Sequence, residues 1–167
     1  MKNCGIIRKI DELGRIVLPK ELRKTLNVHP GDDFQITIDN EKIILEKYSI
    51  LDNYENILIN IINCFLSVKK NRIYFVINNR VINYNSEIIT SVIEKIILER
   101  KIYINDKEDK NIISKNLIDN GKIVIYPIVI NSDLLGSLII VGSDNIEEMI
   151  DECKLIYNII KKVILWN

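Results

Sequence analysis

The chain of 167 residues contains no alanine, one histidine and only three cysteines. The cysteines, Cys4, Cys64 and Cys153, are far apart and odd in number, which argues against a disulfide framework. With His29 as the single histidine and no C-x-x-C pair, the sequence also lacks the ligand pattern of a structural zinc site. We therefore expect neither a metal nor a cofactor.

Long apolar runs are missing as well. No stretch approaches the ~18 residues needed to cross a bilayer, and the first residues lack the apolar segment of a signal peptide. We therefore expect a cytoplasmic protein with no membrane partner. An enzyme is not expected either, because one histidine and three scattered cysteines cannot supply a nucleophile, a base and an orienting group.

What the chain does have is an ordinary share of apolar residues, 47%, with 38 isoleucines among them, and 28% charged residues. This composition is typical of a globular protein of one or two domains. Because alanine is absent, helix propensity is a poor guide to the helices. The spacing of apolar residues must predict them instead.

The formal net charge is zero, with 23 basic and 23 acidic residues, but the charges are segregated along the chain. Residues 2–24 hold seven basic and three acidic residues, whereas residues 25–52 hold two basic and six acidic ones. A local basic surface suits a module that meets phosphates with one face. The alternative is a solvated charged surface without a partner.

The first fifty residues predict four short strands and one helix. Residues 5–10 and 15–18 are expected to be strands around a turn at residues 11–14, where Gly14 can take a positive φ. Asp11 and Glu12 are adjacent carboxylates in that turn, but no nucleophile lies near them, so catalysis is not expected there. Residues 33–38 alternate apolar and polar side chains, and residues 42–47 return as a second strand.

Pro19 is expected to open a short helix that ends near Leu26. Leu22 and Leu26, four residues apart, predict its inward face. Its outer face would then carry three cations at spacings i, i+3 and i+4, namely Lys20, Arg23 and Lys24. A unit this small buries little of its own surface without a metal, a disulfide or a partner, so an intertwined dimer is predicted.

The run from Gly5 to Leu26, which includes Asp11-Glu12-Leu13-Gly14-Arg15 and Leu18-Pro19, closely resembles the AbrB-type swapped-hairpin DNA-binding domain, and the resemblance continues over residues 39–48. It implies a swapped-hairpin β-barrel in which two chains exchange hairpins and bind double-stranded DNA. The DNA-contacting residues that it implies by position are Arg8, Arg15, Arg23 and Lys24, with Lys9 and Lys2 as phosphate contacts. Lys24 stands where arginine is also common, and lysine offers no bidentate fork.

The rest of the chain predicts helices around an antiparallel sheet. Apolar residues spaced 3 and 4 apart predict one amphipathic helix over residues 51–68, from Leu51 to Val68, and another from Ile146 to Val163. The two helices could form a four-helix contact with a second chain, or each could simply cover the sheet. Between them we predict strands at 71–77, 81–84, 122–130 and 134–141, an edge strand at 102–104, and a helix from Ser86, its N-cap, to Arg100.

The hairpin with Tyr126-Pro127-Ile128 and Leu135-Gly136-Ser137 resembles the central hairpin of GAF domains. An AbrB-type head followed by a GAF-like region resembles the stage V sporulation protein T group of transcription regulators. This resemblance implies two domains: a DNA-binding head (1–50) and a GAF-like α+β domain (69–167), joined by a helical linker (51–68). In such proteins the GAF-like part mediates assembly and is a suspected receiver of a small-molecule signal.

The leading hypothesis is therefore a nucleoid-associated regulator that forms a homodimer or a homotetramer and binds DNA. AT-rich DNA is the expected target, because bendable segments offer readout through shape. Two alternatives remain open. AbrB-like heads also occur in antitoxins that bind a partner protein, and the C-terminal region could make the protein a small-molecule sensor whose DNA binding is secondary. Cys64 and Cys153 fall on the helix seams and are expected to be core thiols.

Overall fold

The computed structural model describes residues 5–26, 28, 30–48 and 50–165, without the side chains of residues 47 and 52. The chain divides into two compact units, Met1–Tyr48 and Ser49–Asn167, which we call the head and the C-terminal unit. Lys2, Cys4 and His29, singled out in the sequence, lie outside the described residues. Within the described residues, no helix is both long and apolar enough to span a membrane.

The head contains a short helix and a hairpin. Helix α1 spans Lys20–Thr25, and strands β1 (Phe34–Asp39) and β2 (Lys42–Lys47) pair antiparallel. Asn40 and Glu41 connect the strands with φ of 45° and 66°, as a two-residue type I′ turn requires. The helix and hairpin are confirmed to within one or two residues of their predicted bounds.

The two strands predicted earlier in the head are not observed. The described residues 5–18 contain the expected turn, but residues 5–10 and 15–18 form no strand. A strand needs a neighbour whose backbone groups complete its hydrogen bonds, and β1 and β2 already pair with each other. Residues 5–18 have the apolar pattern of two strands, but in this single chain they have no neighbouring strand to pair with.

The C-terminal unit begins with a 3-10 helix, Ile50–Tyr54, and continues as a six-stranded antiparallel sheet flanked by helices. The elements follow in the order α2 (Glu55–Val68), β3 (Arg72–Ile77), β4 (Arg80–Val81), β5 (Glu87–Ile88), α3 (Ser91–Leu98), β6 (Tyr103–Ile112), β7 (Ile118–Ile130), β8 (Asp133–Gly142) and α4 (Ile146–Leu165). The strand order in the sheet is β5-β4-β3-β8-β7-β6. The predicted α+β class of this region is confirmed.

Successive side chains of each strand point to opposite faces of the sheet, and a separate hydrophobic core lies on each face. Phe75, Leu138 and Ile140 pack with α2 and α4, whereas the intervening residues such as Val76 and Ile139 pack with α3. Both amphipathic helices thus cover the same face of their own sheet. The seam of α4 is buried as predicted at Met149, Cys153, Ile156 and Ile160.

The seam of α2 departs from the predicted spacing at its end. Leu51 and Leu58 are buried, but Ile62 is buried as well and Val68 is exposed. A straight helix turns every 3.6 residues, so a strict heptad pattern drifts off the buried stripe over several turns. Cys64 is exposed because it lies next to Phe65 of this seam and not on it, so the prediction of a core thiol is wrong for Cys64 and right for Cys153.

The region between these helices contains three further corrections. The strand predicted at 81–84 ends at Val81, because residues 82–86 form turns. The helix predicted from Ser86 begins only at Ser91, with Thr90 as N-cap, and residues 87–88 form β5 instead. Ser86 has φ of 50°, so it belongs to a turn. The edge strand predicted at 102–104 is observed but is ten residues long, β6, because an edge strand can carry charged side chains along its length.

Candidate nucleic-acid interface

Asp11 organises the turn that leads into Arg15. Its Oδ1 atom accepts hydrogen bonds from the backbone N–H groups of Leu13 (3.0 Å) and Arg15 (2.8 Å). The Asp11 N–H donates to the Arg15 carbonyl at 3.1 Å, and the Gly14 N–H donates to the Asp11 carbonyl at 2.9 Å. Gly14 takes φ of 74°, which glycine adopts without steric cost. The turn is thus closed by its backbone and by one carboxylate.

The same carboxylate holds the Arg15 side chain. Arg15 Nε donates to Asp11 Oδ2 at 2.7 Å, although the Arg15 side chain is 71% exposed. Because Nε is the nitrogen next to the aliphatic stem, the two Nη groups lie at the far end of the guanidinium. Hydrogen bonds from the backbone N–H and then the guanidinium of Arg15 lower the pKa of Asp11, so the carboxylate is ionised at neutral pH.

Helix α1 carries the second group of cations. Pro19 precedes the helix, and its carbonyl accepts the first helical hydrogen bond from the Arg23 N–H at 3.0 Å. Lys20, Arg23 and Lys24 are all exposed, and their spacing places them on one side of the helix. Arg23 and Lys24 also lie in the last turn, where the helix dipole favours positive charge.

The remaining candidates, Arg8 and Lys9, lie in the segment before the turn and are exposed. Every predicted DNA-contacting side chain within the described residues is therefore accessible from solvent. Within the part of the head that the structure describes, Arg15 is the one of these cations whose side chain has a hydrogen-bond partner, Asp11. Asp11 itself was missed as a functional residue, although its i, i+4 spacing to Arg15 is a signal that the sequence contains.

The head also exposes an unusual share of its apolar surface. Pro19 is its only buried residue within the described part of the head. Ile7 is 92% exposed and Ile38 is 81% exposed, and both inward residues predicted for the helix, Leu22 and Leu26, are exposed. Further exposed apolar side chains are Ile6, Ile10, Leu13, Ile16, Val17, Ile36, Ile43 and Leu45. The head of a single chain therefore has no core of its own.

Polar clusters in the C-terminal unit hold strands and helices together. The Asn71 amide donates to Asp144 (2.9 Å) and to the buried carboxylate of Glu152 (3.2 Å), and Lys69 Nζ lies 2.9 Å from the same Glu152. A groove of about 270 Å³ beside Lys69 and Glu152 is lined by the end of α2 and by α4. Within the described part of the chain, no cluster of histidine, cysteine and acidic residues could hold a metal ion.

Comparison with known proteins relates the head to an antitoxin family and to a transition state regulator. Residues 7–50 match the family model described as antidote-toxin recognition MazE, bacterial antitoxin. The transition state regulatory protein AbrB of Bacillus subtilis (strain 168) is 58% identical over 48 residues, which cover 29% of this chain and 50% of that protein. The solution structure of the N-domain of the transcription factor AbrB is 58% identical with a TM-score of 0.27, and covers 29% of this chain and 92% of that one.

The rest of the chain matches a second model. Stage V sporulation protein T of Bacillus subtilis (strain 168) is 29% identical over 155 residues, which cover 86% of each protein. The match confirms the resemblance predicted from the sequence, an AbrB-type head followed by a region of the sporulation protein T type. Residues 45–161, more than half of the chain, match the model described as Stage V sporulation protein T C-terminal, transcription factor, and the chain belongs to this family.

Proposed function

We propose that this chain is a DNA-binding transcription regulator whose head contacts double-stranded DNA through Arg8, Lys9, Arg15, Arg23 and Lys24. The observation that carries the proposal is the 58% identity with AbrB over the segment in which these cations are exposed. The family of the C-terminal unit, described as a transcription factor, supports the same function. Lys2 is the further phosphate contact that the sequence suggests.

The DNA-binding form is a homodimer built through the heads. A head without a core is stable only when its apolar side chains are covered. In a symmetric dimer, the same apolar side chains of a second copy cover them. The unpaired segments 5–10 and 15–18 would gain strand partners in the same step. The dimer brings together two copies of each cation, ten in all for the five residues, on one assembly.

Affinity comes mainly from the phosphates. Each neutralised phosphate adds about 0.9 to the slope of log K against log salt. Arginines can also read base edges, but five cations on short elements leave most of the sequence preference to DNA shape, and AT-rich segments bend most readily.

The C-terminal unit serves assembly or signal reception. We place a helical connection at residues 51–68 and a GAF-like domain at 69–167, which takes the assembly to a tetramer or receives a small molecule. Helix α2 packs into the core on one face of the sheet. Because α2 is close in sequence to the head, a structural change in that core can be transmitted along the chain to the head.

The test is DNA binding across a salt series. Fluorescence anisotropy would compare an AT-rich and a GC-rich duplex for the wild-type protein, Arg15→Ala and Lys161→Ala. Lys161 is an exposed cation of the C-terminal unit and serves as the matched control. We expect salt-steep binding that favours the AT-rich duplex and is markedly weakened, though still measurable, only in Arg15→Ala. Negligible binding of the wild type at low salt would refute the proposal.

The match to the MazE antitoxin model supports one other candidate, a protein that binds a toxin. The C-terminal unit speaks against it, because residues 50–165 form a folded sheet with two cores and not an extended tail that wraps a partner. A small toxin encoded next to this protein, and a stable complex between the two, would favour the antitoxin.

A further inference from the structure

The basic segment of the head contains an acidic residue at its centre, Asp11, and it is bonded to a candidate DNA contact. We infer that Asp11 is a positioning residue for DNA recognition, which fixes the Arg15 guanidinium so that its two Nη groups face the DNA. This inference rests on the proposed function, because it concerns how the same head binds.

The two oxygens of the Asp11 carboxylate have different hydrogen-bond partners. Oδ1 is used by the backbone N–H groups of Leu13 and Arg15, which fix the carboxylate to the turn. Oδ2 is then held in place and accepts from Arg15 Nε at 2.7 Å. The guanidinium is planar, so one bond at Nε, from an anchored acceptor, restricts the direction of the opposite edge.

A fixed fork matters because arginine binds phosphates and guanine edges in a bidentate way. An exposed arginine loses rotamer freedom when it binds, and a side chain already held in one orientation loses less. Arg15 is 71% exposed, so apart from Asp11 little of the protein constrains it. The Asp11 carboxylate therefore restricts the orientation of the Arg15 side chain, which burial does not restrict.

Electrostatics alone makes the opposite prediction. A carboxylate beside a phosphate backbone repels it, and removal of the charge should tighten DNA binding. Positioning predicts that removal weakens binding, because Arg15 is released. The sign of the change therefore separates the two explanations.

The experiment uses the full chain, the AT-rich duplex and five proteins: wild type, Asp11→Asn, Glu12→Gln, Arg15→Ala and the double variant Asp11→Asn/Arg15→Ala. Asparagine keeps an acceptor oxygen for the two backbone N–H groups but loses the charge at Oδ2. Glu12 is the neighbouring exposed carboxylate of the same turn and is not the partner of Arg15 Nε, so Glu12→Gln is the matched control.

We expect Glu12→Gln to bind as tightly as the wild type or more tightly. Asp11→Asn should bind about fivefold more weakly, at the low end of what one bidentate arginine pair contributes. In the Arg15→Ala background the same substitution should cause no loss, since the residue through which Asp11 acts is absent. Thermal unfolding of each variant, followed by circular dichroism, reports on the fold.

Two results would overturn the inference while the proposed function stands. One is binding by Asp11→Asn that equals or exceeds that of the wild type. The other is an equal loss from Asp11→Asn with and without Arg15, which would mean that Asp11 acts only through the fold of the head. A wild-type protein that does not bind DNA would instead overturn the proposed function itself.

Discussion

The side chains of Tyr74 and Asp119 are hydrogen-bonded to each other, although a third strand lies between their strands in the sheet. Tyr74 lies on β3 and Asp119 on β7, with β8 between these strands in the sheet, yet the tyrosine hydroxyl donates to Asp119 Oδ2 at 2.8 Å. Arg72 Nε donates to the same oxygen, and the Asn120 N–H donates to Oδ1. Because β7 begins beyond the end of β8, these side-chain hydrogen bonds connect β3 to β7 where β8 no longer pairs with either strand.

The first prediction concerns alkaline pH. Burial, and then the hydrogen bond to Asp119, raise the pKa of Tyr74 above its ordinary value of 10.0. A raised folded-state pKa contributes stability that is complete below about pH 10 and is lost as the pH rises further. We expect the free energy of unfolding, measured with urea between neutral pH and about pH 11, to fall above pH 10. The fall should be smaller in Tyr74→Phe, and equal slopes in both proteins would contradict the assignment.

The second prediction concerns the close approach of β8 to β3. A Cβ on Gly136 would overlap the backbone carbonyl oxygen of Val76, which cannot move without the sheet. We expect Gly136→Ala to lower the free energy of unfolding of the C-terminal unit by about 2 kcal/mol or more. Gly5→Ala is the control, since no atom lies within 4 Å of the Cβ that it would add. An unchanged urea midpoint for Gly136→Ala would contradict the close approach.

The third prediction concerns Asn71, which joins β3 to the start of α4. Its amide donates to both Asp144 and Glu152, and it is almost fully buried. Asn71→Ala should cost about 2 kcal/mol, because it leaves a buried carboxylate with fewer donors. Asn145→Ala removes a single hydrogen bond, from the Glu147 N–H at the helix start, and should cost about 1 kcal/mol. Equal losses in the two variants, measured by chemical unfolding, would count against this role of Asn71.

The fourth prediction tests the head dimer. Ile38 is 81% exposed in the single chain, so Ile38→Asp should be harmless if the head functions alone. If a second copy covers it, the variant should form a smaller assembly by light scattering and lose DNA binding. Ile88→Asp is the matched control, because Ile88 is an exposed isoleucine on the edge strand β5. A variant Ile38→Asp with wild-type mass and affinity would exclude the dimer contact at β1.

Sequence reasoning was accurate where a pattern is local. The hairpin β1–β2 has strict alternation in β1 and a turn of Asn40 and Glu41. The hairpin β7–β8 has the turn residues Asn131 and Ser132, both with positive φ. In α4 the buried stripe follows the apolar spacing, with Glu152 as the one buried charged residue that this spacing does not predict. These features depend on residues within a few positions of each other, so one sequence contains the whole signal.

The errors arose where long-range contacts decide. Residues 87–89 are apolar enough for a helix or a strand, and pairing with β4 and with Ser114 decides in favour of a strand. The edge strand predicted at 102–104 extends to Ile112, because pairing with β7 supplies hydrogen bonds to a polar segment whose own pattern does not predict a strand. In the candidate interface, the cations of the head are recognisable from the sequence. The clamp of Asp11 on Arg15 required the geometry of the turn.

The two units differ in when they can fold. The C-terminal unit encloses two cores within one chain, whereas the head, which the ribosome synthesises first, has Pro19 as its only buried residue within the described part. If the proposed head dimer forms, a nascent head keeps its apolar side chains in solvent until it meets a second chain, whereas the later unit can fold on its own chain. Chains made on the same messenger RNA meet sooner than chains that diffuse through the cell, so assembly during translation would shorten the interval in which the head is open to aggregation and proteolysis.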